Sequence, residues 1–96
     1  MATAKGSVPG SRDEHQIVFY GLSTCIWCRR TRQLLESLGV AFDFYYVDLL
    51  TGQERQDVID QVRGWNPAVS FPTIVIDDAR CIVGYRAEEI EAALEP

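Results

Sequence analysis

Residues 16–39 read Gln16-Ile17-Val18-Phe19-Tyr20-Gly21-Leu22-Ser23-Thr24-Cys25-Ile26-Trp27-Cys28-Arg29-Arg30-Thr31-Arg32-Gln33-Leu34-Leu35-Glu36-Ser37-Leu38-Gly39, and a change of pattern inside them decides the fold. Ile17 to Tyr20 is a β-branched and aromatic run stopped by Gly21, which reads as a short buried strand. From Ile26 to Leu38 the strand pattern is gone. Thr31, Leu34, Leu35 and Leu38 instead share one helical face, with Gly39 just beyond as a C-terminal stop. A strand feeding a helix, with Cys25 and Cys28 at the corner, is the frame on which the rest is placed.

Toward the C-terminus, Val40 to Asp48 reads as a second strand with Phe42, Phe44 and Tyr46 on one face. Thr51-Gly52-Gln53-Glu54 has the form of a capping box opening a second helix, with Val58, Ile59 and Val62 inward and Gly64 closing it. Thr73 to Ile76 is a third strand, Asp77-Asp78-Ala79 a turn, and Cys81 to Gly84 its hairpin partner. Arg86 to Leu94 closes the chain as a helix, with Glu88 and Glu89 at the positive end of its dipole. Toward the N-terminus, residues 1–15 are small and polar, are interrupted by Gly6, Pro9 and Gly10, and contain no apolar core of a secretory signal. They are expected to form a mobile tail ahead of one ordered domain, 16–96. The order β-α-β-α-β-β-α predicts an α/β fold, a four-stranded mixed sheet with helices on both faces.

Ninety-six residues leave room for a single small domain. With 9 basic and 14 acidic side chains the net charge is -5, which argues against nucleic acid or an anionic membrane as a partner held by bulk attraction. No apolar run approaches the length of a spanning helix, so no membrane segment is expected. The charge is segregated: residues 22–35 hold Arg29, Arg30 and Arg32 and no acid, whereas residues 36–96 hold 12 acids against 4 arginines. Three cysteines, Cys25, Cys28 and Cys81, are too few and too oddly numbered for a disulfide scaffold, and a reducing cytoplasm is the expected compartment.

Cys25-Ile26-Trp27-Cys28 takes its chemical meaning from its position. A thiol at the first turn of a helix faces unpaired N–H groups and the positive end of the dipole, and Arg29 adds a cation one turn on; all three favour thiolate over thiol at Cys25. The i, i+3 spacing brings Cys28 to the same side of the helix, within reach of a disulfide. Cys25 is therefore the candidate nucleophile and Cys28 the candidate resolving thiol. Other readings stand beside this one: half of a zinc site, for which only Cys81 and His15 remain as further ligands, incidental packing of two small side chains, or an iron–sulfur cluster bridged between two chains with an external thiol. Trp27 reads either as an exposed platform for partners or as a partly packed side chain. Cys81 reads as an inert strand residue.

The chain resembles the glutaredoxins and related thioredoxin-fold redoxins over residues 16–95. The resemblance is carried by Cys25-Ile26-Trp27-Cys28 after a strand, by Phe71-Pro72-Thr73 before the hairpin and by Val83-Gly84-Tyr85 before the last helix. It implies the thioredoxin-like fold and a dithiol thiol–disulfide oxidoreductase. It also implies a cis Pro72 against the active-site cysteines, with Phe71 presenting backbone to a substrate, although residues 70–73 alone would favour trans. Trp27, Arg29, Phe71, Pro72, Gly84 and Tyr85 are the expected substrate-binding residues.

The resemblance implies no tightly bound cofactor, a disulfide-containing protein as substrate, and glutathione, another thiol or a reductase as electron donor to a monomer. Two departures bear on the donor. Many glutaredoxins carry a lysine shortly before the first cysteine, where this chain has Leu22. The Gly-Gly and downstream Asp that bind the γ-glutamyl end are matched by Val83-Gly84 and Tyr85-Arg86-Ala87. Gly84-Tyr85-Arg86 looks more like the small redoxins that serve ribonucleotide reductase and draw electrons from a flavoenzyme.

Overall fold

The computed structural model describes residues 3–95, which form β1 (Lys5–Val8), β2 (Ile17–Gly21), α1 (Ile26–Ser37), β3 (Phe42–Tyr46), a 3-10 turn (Val47–Leu49), α2 (Gly52–Trp65), β4 (Thr73–Ile76), β5 (Arg80–Val83) and α3 (Ala87–Ala93). The strands form one mixed sheet in the order β1-β3-β2-β4-β5. β2 and β3 are parallel across α1, while β4 pairs antiparallel with β2 and with β5. This is the expected thioredoxin-like architecture, with a fifth strand added at one edge.

Side-chain alternation along the central strands divides the interior in two. Ile17, Phe19, Phe42, Phe44, Ile74, Ile76 and Ile82 face Leu35 of α1 and Ile90 and Leu94 at α3. Tyr20 and Val75 point the other way, onto Val58 and Val62 of α2 and onto Val47 and Leu50. Because side chains on a strand alternate, one four- or five-residue strand serves both layers. Full burial of each such aliphatic side chain stabilises the fold by about 1.5–3 kcal/mol.

Two expectations are corrected. Among the described residues of the expected tail 1–15, Lys5–Val8 pairs antiparallel with β3, and Arg12 exchanges backbone hydrogen bonds with Gly39 and Ala41, so this stretch is not free. The Arg12 guanidinium also donates to the carbonyls of Leu38 and Leu94, so one cation serves the C-terminal ends of α1 and α3. Val8 is the one sizeable apolar side chain in β1, so the strand leaves no period-two signal and is held by its backbone. The sheet accordingly has five strands rather than four. Thr51 does sit at the N-cap of α2, but its side chain makes no capping hydrogen bond, and Glu54 is drawn instead to Lys5 of β1. The remaining boundaries lie within about two residues of the sequence pattern, apart from the second strand, whose last residues form the 3-10 turn.

Candidate active site

Gly21 ends β2, and the next four residues make a tight turn in which the Cys25 N–H donates to the Leu22 carbonyl at 3.3 Å. Cys25 is the N-cap of α1, with extended backbone (φ -92, ψ 122). Its Sγ accepts the Cys28 N–H at 3.3 Å, where a serine or aspartate oxygen would sit in an ordinary cap. Cys25 is half-buried, whereas Cys28 is 0% exposed. Gly21 permits this: a Cβ there would lie 2.7 Å from the Phe19 ring and 3.3 Å from the Cys28 Cβ. The two sulfurs stand near disulfide distance.

The two thiols differ in chemistry as well as in exposure. Burial, then the hydrogen bond with Cys25, pushes the Cys28 thiol up to about 12; the negative charge of Asp48 acts in the same direction, and the Leu22 N–H, 3.4 Å from the sulfur, acts against them. Cys25 meets a donor N–H at the positive end of a 12-residue helix whose first turn holds no acid. One sulfur is thus presented and the other is kept as a buried thiol.

An aromatic groove of about 270 Å³ is lined by Trp27, two residues along the chain from Cys25, and by Phe71, Pro72, Gly84 and Tyr85. Trp27 is 51% exposed and stacks on Tyr85 with centroids 5.8 Å apart and planes at 24°, while the Arg30 guanidinium lies 5.1 Å from the indole centroid. The Phe71–Pro72 peptide is cis. The Pro72 carbonyl accepts the Gly84 N–H at 2.8 Å, with Gly84 at φ +88, a conformation that glycine adopts without a steric penalty.

Five of the six expected substrate-binding residues therefore line one groove. The sixth, Arg29, does not: it lines a pocket of about 180 Å³ with Leu22, Ser23, Arg32 and Tyr46. Arg32 is committed elsewhere, donating to the Tyr46 hydroxyl at 2.9 Å and lying over the Phe44 ring. Arg86 turns back to donate to the Val83 carbonyl at 2.9 Å. Cys81 sits half-buried on β5, its thiol raised by that burial. Among the described residues no three His, Cys, Asp or Glu side chains gather in a metal-holding group. None of their helices is long and apolar enough to cross a membrane.

Two contributors went unread in the sequence. Asn66, buried at the end of α2, donates to the Ser70 carbonyl at 3.1 Å, the Ser70 hydroxyl at 3.0 Å and the Thr73 hydroxyl at 3.2 Å, bracing the loop that presents Phe71 and Pro72. Asp48, on the 3-10 turn after β3, accepts the Ser23 N–H at 2.9 Å and fixes the turn before Cys25. Neither has a local signature, because a polar residue after a helix or strand reads as a loop residue.

The glutaredoxin family profile matches residues 17–81. The fold superimposes on a glutaredoxin from Methanosarcina mazei Go1 with TM-score 0.90 at 45% identity, covering 98% of this chain and 90% of that one. For methanoredoxin of Methanosarcina acetivorans the TM-score is 0.91 at 45% identity, covering 99% and 100%. A glutaredoxin-like 8.6 kDa protein of the rubredoxin operon of Clostridium pasteurianum is 29% identical over 79 residues, covering 82% of this chain and 97% of that protein. With a Cys-x-x-Cys pair at the strand-to-helix corner of a thioredoxin-like sheet, this chain is a thiol–disulfide oxidoreductase and belongs to the glutaredoxin family.

Proposed function

We propose that Cys25 is the attacking thiolate and Cys28 the resolving thiol. Cys25 attacks a substrate disulfide, one substrate sulfur leaves as a thiol, and the other is held as a mixed disulfide. Cys28 then displaces it and leaves a Cys25–Cys28 disulfide for re-reduction. The observation that carries this assignment is the contrast between a half-buried Cys25, whose sulfur accepts a helix N–H, and a fully buried Cys28. The substrate is a disulfide-containing protein whose extended backbone lies in the groove between Trp27–Tyr85 and Phe71–Pro72. Trp27 and Tyr85 supply rigid aromatic area, and Arg29 and Arg30 attract acidic groups beside the scissile disulfide. The protein acts as a monomer in a reducing compartment such as the cytoplasm.

The electron donor is a flavoenzyme or a thiol other than glutathione. Leu22 is half-buried against both layers of the core and offers no cation to a glutathione carboxylate, and Arg86 stands where an acid would meet the γ-glutamyl amine. Two experiments test the proposal. Cys28→Ser should accumulate a mixed disulfide at Cys25 and Cys25→Ser should be inactive; a Cys25→Ser variant that still exchanges overturns the assignment. Oxidised protein should be re-reduced slowly by glutathione with its reductase and faster by a thioredoxin-reductase system. Efficient turnover at millimolar glutathione would refute the donor assignment alone.

A further inference from the structure

Two consecutive amides of one turn serve two different acids. The Leu22 N–H donates to Cys28 Sγ at 3.4 Å, and the Ser23 N–H donates to Asp48 Oδ1 at 2.9 Å, with the Ser23 hydroxyl on Oδ2. The turn is closed by the Cys25 N–H on the Leu22 carbonyl, and the Leu22 side chain packs against both layers of the core. Asp48 is fixed in turn, because Val47 beside it is buried next to Leu50, Val58 and Val62. The turn cannot shift against Asp48 without moving the N–H that holds Cys28.

We propose that Asp48 is a positioning residue for the resolving step: through Ser23 it holds the Leu22 amide on Cys28 Sγ, while its carboxylate, anchored to the same turn, opposes negative charge on that sulfur. The inference rests on Cys28 being the resolving cysteine. In that step the Cys28 sulfur attacks Cys25 Sγ of the mixed disulfide, and the proton it gives up ends on the departing substrate sulfur. The Cys25–Cys28 bond forms as the bond to the substrate sulfur breaks, and the departing thiolate takes the electron pair and then a proton. One disulfide replaces another, so the step needs no outside oxidant or reductant.

The two influences of Asp48 have opposite signs. The amide that it positions favours the Cys28 thiolate, and the charge that it carries disfavours it. The carboxylate is ionised at neutral pH: burial acts to raise it, but the Ser23 hydroxyl and amide, its own backbone N–H and the Arg55 guanidinium outweigh that and hold it below its ordinary range. The Cys28 sulfur accepts the Leu22 amide, its own N–H donates to Cys25 Sγ, and Asp48 accepts the next amide along the turn, that of Ser23.

The test uses full-length reduced protein in a Cys81→Ser background, which removes the third free thiol, and 5,5′-dithiobis(2-nitrobenzoate), which releases one coloured thiolate when Cys25 attacks and a second when Cys28 resolves. Asp48→Asn keeps an acceptor for the Ser23 amide and removes the charge. Its second release should become faster by roughly 3–10-fold near neutral pH, with the pH profile displaced to lower pH. Ser23→Ala keeps the charge and loosens the turn, and its second release should slow by about twofold. Opposite signs from two partners of one hydrogen-bonded pair would not arise from a purely structural role. Superposition of Asp48→Asn on the wild-type profile, or a slowing in both variants, overturns the inference. A second release that persists in Cys28→Ser would instead refute the assignment of Cys28 itself.

Discussion

Cys25 and Cys28 are three residues apart on one helix end, yet their surroundings give them different chemistry. Cys28 is walled in by Gly21, Phe19 and Leu22, so its charged form has no access to water, and its thiol is pushed up to about 12. Tyr20, buried beneath α2 and stacked on Tyr45, is also raised to about 12, again chiefly by burial. The sign of the consequence follows. Unfolded, a cysteine loses its proton near pH 8.5–9 and a tyrosine near 10, whereas the folded protein keeps both protons up to about 12. Between those limits the folded state binds more protons, so stability is whole below about pH 8.5 and falls as pH rises toward 12. The urea midpoint of the reduced protein should therefore be flat from pH 7 to about 8.5 and decline above it, and Cys28→Ser should flatten the first part of that decline. An unchanged slope in Cys28→Ser would show that burial of this thiol does not govern the alkaline limb.

At the scale of elements, the strand-to-helix corner, α1 and β4 were legible because each announces itself locally. Ile17 to Tyr20 is β-branched and aromatic, Gly39 stops α1 and takes φ +72, and Thr73–Ile76 is buried at every position. What escaped is held by partners distant in sequence. Lys5–Val8 is a strand because β3 offers it a free edge, and Glu54 leaves the capping box for Lys5, 49 residues away. The groove was legible through Phe71-Pro72-Thr73 and Val83-Gly84-Tyr85, but spacing on α1 could not tell that Arg29 faces a different pocket from Trp27. The brace under the groove was equally hidden: Asn66 and Thr73 converge on Ser70 from the end of α2 and the start of β4. Asn66→Ala should lose about 1–3 kcal/mol of stability, seen as a fall of several degrees in Tm, and should slow disulfide exchange by releasing the Phe71–Pro72 loop. An unaltered Tm would show that these hydrogen bonds are replaced at no cost.

Across the whole molecule, charge and shape converge on one end. The chain carries -5 overall, but residues 22–35 contribute three arginines and no acid, and the Arg30 guanidinium lies against the exposed Trp27. At low salt a disulfide peptide with acidic flanks should react several-fold faster than one with basic flanks, and the difference should fade as the Debye length drops toward 3 Å near 1 M salt. Equal rates for the two peptides at low salt would deny the arginines a part in recognition. The sheet, the turn held by Asp48 and the two core layers together present one sulfur and bury the other. The most direct measurement of that claim is alkylation of the reduced full-length protein with limiting iodoacetamide, mapped by peptide mass spectrometry. Cys25 should be modified first, with Cys28 and Cys81 reacting only after denaturation; preferential modification of Cys28 or Cys81 in the folded protein would contradict it.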